Sequence, residues 1–171
     1  ANAMARHVRV LADDSFEGRE AGKRGGRAAA AYIVEQIEDL GFEPAGDNGT
    51  YFQSFGSNMR NILAMLPGSD PTVANEYVIV GAHYDHVGYG NSSNSYGPFG
   101  QIHNGADDNA SGVAALLEVA RMLKQQPDPL RRTIIFVAWD SEETGLHGSQ
   151  HWIRTAGSQL KQVKLALNLD M

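Results

Sequence analysis

Residues 77–88 read YVIVGAHYDHVG, a short unbroken apolar run that ends on acidic and imidazole side chains. A run of that length without polar alternation predicts a strand covered on both faces, as in the centre of an α/β sheet. A second such run, TIIFVAW over 133–139, leads into DSEETG, and a third, VKLALNLD over 163–170, closes on Asp170. Between the first two lies the clearest helix of the chain, 110–126, with Val113, Leu116, Leu117, Ala120 and Leu123 on one face and Asn109 or Asp108 placed to cap it. HGSQHWIRTAG, 147–157, reads as a helix between the second and third. Strand, helix, strand, helix, strand predicts an α/β fold of three layers (α/β/α), a mostly parallel twisted sheet with helices on both faces.

Outward from that centre the signals are shorter. Residues 1–13 carry helical spacing at Met4, Val8 and Leu11, and about 25–40 place Ala29, Ile33, Ile37 and Leu40 on one face before Gly41. Two β-like runs, 51–55 and 61–66, stop at Pro67-Gly68, and 87–105 forms a long loop rich in Gly, Ser, Asn and Tyr. A loop of that length in a compact domain is usually functional or mobile. With no internal repeat and no linker, 1–171 reads as a single domain.

Composition narrows the function. At 42% hydrophobic and 20% charged the chain is globular, and a net charge of −6 leaves no basic footprint for nucleic acid. No apolar run is long enough to span a bilayer. ANAMARHVRVL lacks the apolar core of a signal peptide, which suits a cytosolic protein or a mature secreted one. With no cysteine, disulfides and thiolate zinc sites are excluded, so any metal must be held by His, Asp and Glu.

Those residue types gather where buried strands run out or helices begin, the edge of an α/β sheet at which ligands bind. His83 and Asp85 form an H-x-D pair in which Asp85 can hydrogen-bond the ring nitrogen that faces away from a metal. Asp107 and Asp108 precede a helix; one serves as a cap, but two carboxylates followed by Asn109 exceed what a cap needs, and a carboxylate there can bridge two cations. Glu142-Glu143 is followed by a tight turn at Thr144-Gly145, so one carboxylate can ligate metal while its neighbour acts on a bound water as general base. Asp170 ends a buried strand, where an unpaired charge is costly.

In order and spacing, GAHYDHVG, NGADDNASGV, SEETGLHGSQHW and NLDM resemble the signature segments of the co-catalytic zinc exopeptidases, with secreted bacterial leucyl-type aminopeptidases, glutamate carboxypeptidases and glutaminyl cyclases among them. FEGREAGKRG (16–25) and YIVEQIEDLGFEPAG (32–46) resemble that family's N-terminal region. The resemblance implies two zinc ions bridged by Asp107, with His83 and Asp170 on one and Glu143 on the other. It implies Glu142 as general base toward a water shared by the ions, Asp85 in support of His83, and Asp108 outside the ligand shell. The substrate it implies is a peptide or protein N-terminus, and the location secreted or periplasmic. Carboxypeptidase or glutaminyl cyclase activity, or a metal-binding module without turnover, are the alternatives, and manganese or cobalt also suit such ligands.

The family's second metal takes a further His downstream of the NLDM strand, and this chain ends at Met171. The expectation is therefore one complete metal site, a second holding only Asp107 and Glu143, and an incomplete domain. The remaining histidines read as solvated or packing residues, with His86 or His103 able to approach the site only by movement of the long loop. An interior strand left with an open edge predicts self-association.

Overall fold

The structure, a computed structural model, describes residues 3–171. In chain order the elements are α1 (Ala3–Leu11), α2 (Arg24–Asp39), β1 (Glu43–Pro44), β2 (Phe52–Phe55), β3 (Met59–Leu66), β4 (Tyr77–His83), α3 (Gly112–Gln125), β5 (Thr133–Trp139), α4 (His147–Thr155) and β6 (Val163–Asn168). The first two residues of the helix expected at 1–13 lie outside the described region. Gly41, at φ +70°, ends α2 in a left-handed conformation that a glycine adopts without strain.

The strands form one mixed sheet in the order β1-β3-β5-β4-β6, with β2 also on β3. Parallel pairing joins β4 to β5 and β4 to β6, so the three motif-bearing strands end on the same edge, with His83 opposite Trp139 and Gly81 opposite Asn168. The expectation of parallel strands holds for this half; β3 joins β5 antiparallel, and β1 and β2 join β3 likewise.

Side-chain alternation explains why the central residues of both β4 and β5 are apolar on each face. Ile134, Phe136, Val80 and Ala82 face α2 and α3, meeting Ile33, Ile37, Val113, Leu116 and Leu117. Ile79, Ile135 and Val137 face the other way, onto Trp152 of α4. Truncating a core aromatic such as Phe136, 1% exposed, would cost about 3–5 kcal/mol through lost transfer energy and the cavity left behind. β6 differs: its strand is exposed along most of its length, and Leu165 and Leu167 stand 49% and 48% exposed.

Ahead of α3 the chain makes a wide turn over Ala106–Ser111 rather than starting a regular helix, and Asn109 Oδ1 accepts the Gly112 N–H at 3.0 Å. Asn109 thus satisfies the first amide of α3. The loop 87–105 carries no helix or strand.

Candidate active site

His83 is the last residue of β4 and 2% exposed. Its Nδ1 lies 3.2 Å from the Asp85 backbone carbonyl, which sets that nitrogen as the donor and turns Nε2 toward the carboxylates. Nε2 lies 3.0 Å from Asp108 Oδ1 and 3.1 Å from Asp170 Oδ1. Burial opposes charge on the ring, yet Asp85, Asp170 and Glu142 outweigh it and hold His83 up at about 9.

The Asp85 carboxylate does something other than expected. Its Oδ1 is 3.8 Å from His83 Nδ1, beyond hydrogen-bond reach. Instead it accepts the backbone N–H groups of Glu142 at 3.0 Å and Glu143 at 3.3 Å. β4 has ended by Tyr84, so the shared face of residues i and i+2 no longer applies; Asp85 turns across to the β5 loop and fixes the glutamate pair.

The two carboxylates of the expected bridge lie apart. Asp107 is exposed, on a groove with Met4, Ser111 and Ala115. Asp108, held outside the ligand shell in the sequence reading, occupies the central position, with Oδ1 toward His83 and Oδ2 3.9 Å from His86 Nδ1. The reason is backbone conformation. Asp108 is extended (φ −104°, ψ 103°), so consecutive side chains diverge and only one of the pair faces inward. The amide of Asn109 fixes which one, donating to the Leu169 carbonyl at 2.9 Å and the His83 carbonyl at 3.3 Å.

Glu142 and Glu143 follow β5 in a turn closed by the Gly145 and Leu146 amides on the Glu142 carbonyl, both at 2.9 Å. Burial lifts the Glu142 carboxyl above the ordinary range; His83 opposes this, and Glu143, Asp85 and Asp170 reinforce it. The hydrogen bond from His86 holds Glu143 below that range. Neighbouring carboxyls pushed in opposite directions suit one base and one permanent anion. Glu142 borders a cavity of about 260 Å³ that also has His83, Trp139, Leu146 and Asp170 in its walls.

The sequence gives His86 a role at the site only through movement of the long loop, yet the structure places it there. Its Nδ1 lies 2.6 Å from Glu143 Oε1. The available signal was the second His of H-Y-D-H, one residue beyond Asp85. Three other imidazoles have partners elsewhere: His7 meets Tyr32 at 2.7 Å, His103 meets the Pro98 carbonyl at 2.8 Å, and His151 stacks on Phe55.

Among the described residues two donor groups result, His83-Asp108-Asp170 and His86-Asp108-Glu143, each with its ligand atoms within 4.8 Å of one another. The second group is thus richer than the expected pair of carboxylates. Imidazole nitrogens and carboxylate oxygens are a donor set that suits zinc. Crowding supports the fit, since burial and the nearby Glu143 raise the Asp108 carboxyl, a cost that a bound cation would relieve.

A model of peptidase family M28 matches residues 61–171. Leucine aminopeptidase 1 of Neurospora crassa is 31% identical over 166 residues, covering 92% of this chain and 38% of that protein. A Zn-dependent exopeptidase from Parabacteroides distasonis superposes with a TM-score of 0.74 at 22% identity, over 99% of this chain and 60% of the other. Glutaminyl cyclase from Porphyromonas gingivalis gives a TM-score of 0.72 at 27% identity, over 99% and 60%. The chain thus spans well under half the length of the curated aminopeptidase it matches.

Proposed function

The chain belongs to peptidase family M28, and from that premise we propose a zinc-dependent exopeptidase of aminopeptidase type, acting on peptides with a free N-terminus. Residues 1–171 would form part of one catalytic domain. The aminopeptidase and Zn-dependent exopeptidase named among its relatives support the reading. The observation that carries it is two donor groups sharing Asp108 beside Glu142.

His83, Asp108 and Asp170 would hold one zinc, and Asp108, Glu143 and His86 a second. Zinc bound there would supply Lewis acidity to a peptide carbonyl and to water. The remaining work falls to side chains. Glu142, at the cavity wall and with its carboxyl raised, would take a proton from water and return it to the leaving amine. Asp85 would keep the glutamates aimed through its bonds to their backbone amides. Asn109 would hold the segments bearing His83, Asp108 and Asp170 in register. A cyclase reading rests on the Porphyromonas neighbour, while the second donor group favours a two-metal hydrolase. Placement outside the cytoplasm is part of the proposal.

The test is hydrolysis of a leucine chromogenic amide by the zinc-loaded chain, beside Glu142→Gln. Loss of turnover with zinc still bound supports the reading; zinc binding with no turnover in either protein points to a binding module.

A further inference from the structure

Near the chain start, FEGRE makes three successive left-handed residues, Glu17, Gly18 and Arg19 at φ +50°, +65° and +51°. A Cβ on Gly18 would sit 2.5 Å from the His103 carbonyl oxygen and 2.6 Å from that of Gly88, so only glycine lets this segment lie against the long loop. The Gly88 N–H donates to the Gly18 carbonyl at 3.0 Å, and the His86 N–H to that of Arg19 at 3.2 Å.

The Arg19 side chain is 0% exposed. Its Nε donates to the Tyr84 carbonyl at 2.9 Å, Nη1 to Leu11 at 2.7 Å and Asn104 at 2.6 Å, and Nη2 to Gly105 at 2.8 Å. All four acceptors are backbone carbonyls, although carboxylates stand close by. One acceptor immediately precedes Asp85, and two lie directly before the turn that carries Asp108. Burial draws the guanidinium down to about 10, opposed by Asp85, Asp108 and Glu143.

We propose that Arg19 is the positioning residue of the acidic site, its planar fork tying the Asp85–His86 segment to the Asp108 turn so that the carboxylates are held converged. A lysine ammonium carries its three donors on one nitrogen and cannot reach all four carbonyls that the three guanidinium nitrogens meet. Arg19 touches neither donor group, so it acts through them. Charge and geometry predict opposite signs: a cation near a metal site weakens metal binding, so removing charge alone would tighten it, whereas losing the tie loosens it.

The inference rests on the metal reading for one of its two readouts. Zinc affinity by chelator competition and amide hydrogen exchange of the metal-free chain are compared for wild type, Arg19→Lys and Arg19→Met. Both variants should bind zinc roughly 10–100-fold more weakly, the usual effect of losing an outer support. Exchange should quicken in residues 84–90 and 103–111 while β3 and β5 stay protected. Unchanged affinity and exchange in the variants, or tighter zinc in Arg19→Met, would overturn the idea. If neither variant folds, the wild-type chain decides: His86 and Gly88 amides protected like the core support it, and exchange at open-loop rates overturns it. A wild type that binds no zinc would sink the metal reading, and the exchange data alone would then decide on Arg19.

Discussion

Replacing Asp108 by Asn, beside the same change at Asp107, separates two adjacent carboxylates that the sequence does not distinguish. Asp108 faces both donor groups, its oxygens 3.0 Å from His83 and 3.9 Å from His86, whereas Asp107 is exposed and belongs to neither. Removing a partner behind a metal ligand costs roughly 10–100-fold in affinity, so removing a shared ligand should cost more than about 100-fold, or about 2.8 kcal/mol per ion. An exposed change away from such features stays within about 0.5 kcal/mol, about twofold. Asn is nearly isosteric with Asp, and circular dichroism would verify that both variants fold. Zinc affinity is then read by competition with a chromogenic chelator. A hundredfold loss in Asp107→Asn with Asp108→Asn near wild type would refute the assignment.

His86→Ala should lower the number of tightly bound zinc ions by one in metal analysis after dialysis; an unchanged number would remove His86 from the second group. Asp140, 2% exposed, is raised by burial from its ordinary 3.8 to about 6, so the folded state keeps a proton that the unfolded chain has released between those values. Stability from this group therefore falls as pH rises through that window, by about 3 kcal/mol. Asp140→Asn should gain on wild type by that amount between about pH 4 and 7 in thermal unfolding, and a pH-independent difference would contradict the shift. The exposed leucines of β6 predict concentration-dependent association in light scattering, reduced by Leu165→Lys with Leu167→Lys; a monodisperse wild-type monomer would count against it.

Much of the molecule was legible in the amino-acid order. The strands at 77–83 and 133–139 were placed to the residue, because hydrophobic runs and their stops are local patterns. The gathering of His83, Glu142, Glu143 and Asp170 at one sheet edge followed as well, since parallel strands joined by helices must end together. Side-chain direction beyond the strand ends was not legible. Whether Asp107 or Asp108 turns inward depends on backbone angles in a turn held by Asn109 on Leu169 and by Arg19 on Gly105, contacts 60 and 86 residues apart. Asp85 spans 57 and 58 residues to the glutamate amides, and His86 spans 57 to Glu143. The order of residues thus determined the layers, the family and the sheet edge at which the acidic and imidazole side chains gather. Only the tertiary structure decided which atoms meet there, because outside regular elements the direction of a side chain is set by distant partners rather than by its neighbours in the chain.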